Sequence, residues 1–133
     1  MSQKQILIIE DDRDIQDIYK KMITDTYEGI DIEQKLNGKE GLDAVQARRP
    51  DLILLDLLMP VMDGKTFLEN LRHKMKLLDI PVVVCSVNQS LANKLLRSHE
   101  VEAVLPKVFS IDDLVKVFSK ILDIRPKQNA PGL

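Results

Sequence analysis

Four short apolar runs punctuate the chain, at residues 6–9, 52–55, 81–85 and 103–105. Runs of this length suit buried strands or pieces of helix, and periodicity alone does not separate the two. Their β-branched content and the segments between them favour strands. A fifth strand is predicted at Ile30-Asp31-Ile32-Glu33, where apolar and polar residues alternate as on a half-exposed edge. Between the strands the period changes. Ile15, Ile18, Tyr19, Met22 and Ile23 recur at the spacing of one helical face. Leu42, Ala44 and Val45 mark a second helix opening after the turn-like Asn37-Gly38, Phe67, Leu68 and Leu71 a third, and Leu91, Leu95 and Leu96 a fourth. The fifth opens on Ser110 with Asp113 three residues on, a capping-box spacing, and continues through Leu114, Val117, Phe118, Ile121 and Leu122.

Five strands alternating with five helices predict an α/β domain, a five-stranded parallel sheet with helices on both faces. Continuous apolar runs belong in the interior of the sheet and the amphipathic one at its edge, which fits a doubly wound order 2-1-3-4-5. The helical stripe stops at Asp123-Ile124-Arg125-Pro126, so the domain is expected over residues 1–124 and a flexible C-terminal tail over 125–133. At 133 residues there is material for one core. A net charge of −2 speaks against a protein that grips nucleic acid through its phosphates. No apolar run approaches the length of a membrane span. One cysteine forms neither an internal disulfide nor a zinc cluster. These features suit a cytoplasmic protein.

In sheets of this kind ligands gather beyond the carboxyl ends of the strands. Strand one is followed by Glu10, Asp11 and Asp12, strand three by Asp56, strand four ends in Ser86, and strand five is followed by Lys107. Clustered carboxylates raise one another's pKa unless a cation lies among them, and Mg²⁺ is the hard dication that such oxygen donors suit. An aspartate can also form an acyl phosphate. Lys107 could then share the charge of the phosphoryl oxygens, with Ser86 as a hydrogen-bond donor. Each residue alone has an ordinary reading: acids after a strand cap the next helix, as Asp12 is placed to do, and a lone Lys or Ser is usually surface. Asp56 follows four apolar residues and lies where burial is costly. The conjunction at four strand ends carries the weight.

The segments Ile6-Leu7-Ile8-Ile9-Glu10-Asp11-Asp12, Leu52-Ile53-Leu54-Leu55-Asp56-Leu57-Leu58-Met59-Pro60-Val61-Met62-Asp63-Gly64, Val82-Val83-Val84-Cys85-Ser86 and Leu105-Pro106-Lys107 resemble the receiver domain of two-component response regulators over residues 4–123. The resemblance implies a flavodoxin-like fold and a phosphorylation site at Asp56, served by a sensor histidine kinase or phosphotransfer protein. It implies an Mg²⁺ site of Glu10, Asp11, Asp56 and the backbone carbonyl of Leu58, with Asp11 the direct ligand of the acidic pair and Glu10 acting through water. Ser86 takes the mobile hydroxyl position and Lys107 the phosphate-pairing position. The domain would act as a conformational signalling switch on a downstream protein target, with no direct nucleic-acid or membrane binding, and would be no enzyme beyond its own phosphotransfer and autodephosphorylation.

Three positions depart from that pattern. Val104 replaces the aromatic residue whose rotation usually reports phosphorylation. Val87 replaces a small residue after the hydroxyl. Val108, not proline, follows Lys107, so a cis peptide there costs a few kcal/mol more than one before proline. Pro60 and Gly64 are expected to shape the loop after Asp56, Gly64 by tolerating positive φ. Among alternatives, an aspartate-nucleophile phosphohydrolase would want a second Asp where Leu58 stands. A flavin or nucleotide binder would want a Gly- or Ser-rich first loop. A docking module that is never phosphorylated fits Val104 and Val108 but not intact Asp56 and Lys107. Cys85 is expected to be a buried small hydrophobe. His73, His99 and the run Arg72-His73-Lys74-Met75-Lys76 are expected to be solvated. Nothing after residue 123 predicts a further globular segment, as expected of either a single-domain regulator or a receiver from a longer chain.

Overall fold

Successive residues of a strand face opposite ways, so a strand that is apolar throughout needs a helix layer on each side. In the computed structural model, which describes residues 3–128, both layers are present. The elements run β1 (Lys4–Ile9), α1 (Arg13–Thr26), β2 (Ile30–Lys35), α2 (Gly38–Ala47), β3 (Leu52–Leu55), α3 (Gly64–Glu69), β4 (Val82–Ser86), α4 (Gln89–Arg97), β5 (Ala103–Pro106) and α5 (Ile111–Leu122). All strand pairs are parallel, and the order is β2-β1-β3-β4-β5 as the pattern predicted. Leu7, Ile9, Ile53, Leu55, Val82 and Val84 meet α2, α3 and α4 on one face. Ile6, Ile8, Leu52, Leu54, Val83 and Leu105 meet α1 and α5 on the other. β2 alternates half-buried Ile30 and Ile32 with exposed Asp31 and Glu33, the signature of the edge it occupies.

The helices begin on short polar caps. Asp12 caps α1, Asn37 α2, Asp63 α3 and Asn88 α4, each accepting from a backbone N–H of the first turn. Ser110 and Asp113 complete the capping box of α5. β4 starts one residue later than the apolar run because Pro81 has no N–H to give the ladder, though its carbonyl accepts from Ile53.

Two expectations are corrected. Arg72 is not solvated. α3 passes into a π-helical turn at Asn70–Lys74, and Arg72, four residues after buried Leu68 on the same helical face, is 6% exposed. Its guanidinium donates to the carbonyls of Leu77, Ile80 and Glu100 at 2.8, 2.9 and 3.1 Å. Gly64 does not need positive φ; that conformation belongs to Val61, at φ 68°. Gly64 is required by contact, since a Cβ there would lie 2.6 Å from the Asp56 carbonyl oxygen. Beyond α5, Ile124 packs on the core and the Lys127 backbone N–H donates to Thr26 O at 2.8 Å. The tail expected at 125–133 falls partly outside the described residues, which end at 128.

Candidate functional site

The β1–β3 boundary is where the winding of the sheet reverses, so the loops after these two strands diverge and leave a crevice at their carboxyl ends. Asp56 occupies it. Its backbone N–H continues the ladder to Ile9 O at 3.0 Å, fixing the carboxyl group at the rim. The residue is only 4% exposed. Its Oδ1 accepts from Leu58 N–H at 3.4 Å and its Oδ2 lies 3.1 Å from Lys107 Nζ. Glu10, equally buried, extends β1 through a bond from its N–H to Lys35 O at 3.0 Å. Its Oε1 lies 2.6 Å from the same ammonium.

Lys107 thus bridges two buried carboxylates. Burial alone would lower its pKa, but Glu10 and Asp56 outweigh it and hold the ammonium above its ordinary value. Glu10 goes the other way from most paired acids. Burial pushes it up, the hydrogen bond with Lys107 offsets this only in part, and Asp11 and Asp56 add to the rise, to about 7. Asp11 is exposed, and one carboxylate oxygen from each of Glu10, Asp11 and Asp56 lies within 4.8 Å of the others. Two buried acids and one exposed acid converging on a crevice fit a hard dication that retains water, Mg²⁺ above all. Leu58 lies in the loop directly after Asp56 with its side chain turned to solvent, so any donor it offers there is backbone.

Ser86 ends β4 fully buried, and its Oγ accepts from Asn88 N–H at 3.1 Å. Val104 is half-buried and packs against the core, while Val87 and Val108 are exposed at the rim. The Lys107–Val108 peptide is cis. Gln89 Nε2 donates to Ser86 O at 2.5 Å and to Leu105 O at 3.3 Å, tying the ends of β4 and β5 together.

The pattern did not single out Gln16, which is buried and donates from Nε2 to Glu10 O at 2.8 Å and Lys35 O at 2.5 Å. A polar residue one place after the apolar Ile15 in α1 was the available signal. Cys85 is buried as expected, yet its thiol is in a hydrogen-bonded chain with Tyr19 and Pro106. His73 and His99 are exposed, as expected.

The family model described as the response regulator receiver domain matches residues 6–119. The probable C4-dicarboxylate response regulator DctR of Bacillus subtilis (strain 168) is 29% identical over 127 residues, covering 95% of this chain and 55% of that protein. Response regulator MprA of Mycobacterium avium (strain 104) is 28% identical over 131 residues, covering 97% of this chain and 56% of that one. The chain therefore spans about half the length of these curated relatives. The receiver domain of Francisella response regulator 1452 superposes with a TM-score of 0.75 at 30% identity, covering 90% of this chain and 97% of that one. The receiver domain of NtrX from Brucella abortus gives a TM-score of 0.76 at 25% identity, covering 89% and 98%. A matched family model over most of the chain, together with an acidic crevice at the reversal point of the sheet, leads to one conclusion: this chain belongs to the response regulator receiver domain family.

Proposed function

We propose that Asp56 accepts a phosphoryl group from a phosphohistidine on a sensor histidine kinase or phosphotransfer protein. The observation that carries this is the contact of a buried strand-end carboxylate with an ammonium 3.1 Å away, beside two further acids. An Asp56 oxygen forms the new O–P bond as the P–N bond breaks. The electron pair leaves with the imidazole nitrogen, which takes a proton from solvent. Lys107, which pairs with both Glu10 and Asp56, neutralises a phosphoryl oxygen on Asp56 in this reading. The Ser86 hydroxyl is the hydrogen-bond donor on the β4 side. Glu10, Asp11, Asp56 and the carbonyl of Leu58 would hold Mg²⁺, which when bound offsets the negative charge gathered at the crevice.

The added charge of roughly −2 biases a two-state element elsewhere in the domain, and the biased state meets a downstream protein target. Val104 gives no aromatic ring to rotate, and the Gln89 tie between Ser86 O and Leu105 O is one link from the end of β4 to β5. The protein is read as cytoplasmic, where such kinases present their phosphohistidine. Among the described residues no helix is long and apolar enough to cross a membrane.

Val104 also favours a second reading, a receiver-like docking module that works without phosphate. One experiment separates the two. Incubated with acetyl phosphate and Mg²⁺, the wild type is expected to gain one hydroxylamine-labile phosphoryl group by intact mass, and Asp56→Asn none. No adduct on the wild type, or an equal adduct on Asp56→Asn, removes the phosphoacceptor reading.

A further inference from the structure

Lysine carries its charge on a four-carbon stem, so the ammonium is placed well only if the backbone beneath it is held. Pro106, before Lys107, has its φ fixed by its ring. Val108, after it, has no such ring, and its side chain is 54% exposed, with little packing to restrain it. A different side chain reaches both flanks of Lys107 from below. Tyr19, in α1, is 1% exposed and Cys85, in β4, is 2% exposed. The Cys85 thiol donates to Pro106 O at 3.3 Å, and Pro106 O belongs to the peptide that leads into Lys107. Since the single thiol proton is used there, the Tyr19 hydroxyl donates to Cys85 Sγ, 3.0 Å away. The ring of Tyr19 stacks on Phe109, two residues after Lys107, with centroids 4.4 Å apart and planes inclined by 17°.

We propose that Tyr19 is a positioning residue for Lys107: its hydroxyl, through Cys85, holds the carbonyl before the lysine while its ring holds Phe109 after it. Nothing in the phosphoryl chemistry touches Tyr19; it acts only through where it puts the Lys107 backbone. The bland reading is a buried hydroxyl that has found a partner and contributes to stability alone. The two differ in what they change at the rim.

The inference rests on Asp56 as phosphoacceptor, so one readout is independent of that. Tyr19→Phe keeps the stacked ring and deletes only the hydroxyl; Cys85→Ala deletes the thiol; Cys85→Ser keeps a donor. With acetyl phosphate and varied Mg²⁺, the first two variants are expected to lower the limiting phosphorylation rate about tenfold. Half-saturating Mg²⁺ stays unchanged, and Cys85→Ser recovers most of the rate. Urea unfolding of each variant shows that the rates belong to folded protein. The independent readout is the ¹⁵N resonance of the Lys107 ammonium. It should stand apart from the surface lysines in the wild type and Cys85→Ser, and merge with them in Tyr19→Phe and Cys85→Ala. If the wild type takes up no phosphate, the phosphoacceptor reading fails and this resonance still decides the positioning role. An unchanged Lys107 resonance in Tyr19→Phe overturns the proposal. So does a rate loss that matches the unfolded fraction, or a Cys85→Ser variant as slow as Cys85→Ala.

Discussion

A carboxyl group with almost no exposed surface holds its proton longer than a solvated one, and Glu10 is such a group. Its pKa rises from 4.5 to about 7, chiefly through burial, against the pull of Lys107. Between these values the folded chain binds a proton that the unfolded chain has released. Stability contributed by this residue is therefore greatest at low pH and is lost as pH rises toward about 7. Without divalent cations, the urea midpoint of the wild type should carry a downward component across that interval, and Glu10→Gln should lack it. Identical slopes in the two proteins would show that another group titrates there. Deeper in the same face, burial pushes the Cys85 thiol up to about 12 and raises the Tyr19 hydroxyl as well. Both stay protonated through the working range, so the hydrogen-bonded chain that leads to Lys107 is not itself a pH sensor.

At the scale of elements, the two ends of the sheet do different work. The carboxyl ends carry the acids and Lys107; the amino ends of β4 and β5 are gathered by Arg72. Arg72 lies in the π-helical turn at Asn70–Lys74, four residues after buried Leu68 and so on the inward face of the helix. Its guanidinium satisfies three carbonyls on the approaches to β4 and β5, with Glu102 as a more distant counter-charge at 3.7 Å. Removing it leaves these carbonyls without their donor. Arg72→Ala is expected to cost about 3 kcal/mol in urea unfolding. Because Arg72 lies at the opposite end of β4 from Ser86, the phosphorylation rate of the folded variant should match the wild type. A variant that is fully stable yet slow to phosphorylate would contradict this division of labour.

For the whole molecule, the proposed cation site couples to folding through strand pairing. Glu10 and Asp11 follow β1 and Asp56 follows β3, so the three acids meet only when those strands pair. A ligand bound only by the folded chain stabilises it by about 2.7 kcal/mol at a hundredfold excess over its Kd. Replacing EDTA by such a concentration of MgCl₂ should raise the unfolding free energy by that order. In Asp11→Ala, an exposed site whose loss leaves the core intact, the increment should shrink sharply. Equal unfolding midpoints with and without Mg²⁺ in the wild type would remove the metal site from this account.

The five strands, the five helices, their order and the family are legible along the chain, because burial on two faces leaves continuous apolar runs and burial on one face leaves a helical spacing. It also brought Glu10, Asp11, Asp56, Ser86 and Lys107 to one rim, since strand ends are legible wherever an apolar run stops. Where side chains with two natures go is settled by packing. Arg72 stands in a basic run that reads as solvated, yet its guanidinium is buried on the carbonyls of Leu77, Ile80 and Glu100. Gly64 reads as a conformational residue, yet the close approach of the Asp56 carbonyl is what excludes a Cβ. Tyr19 and Cys85 are 66 residues apart and each passes for a core hydrophobe; their polar atoms meet because α1 packs beneath β4. A hydrophobic pattern records which face is buried. It does not record which polar atoms meet inside that face, and those meetings place Lys107.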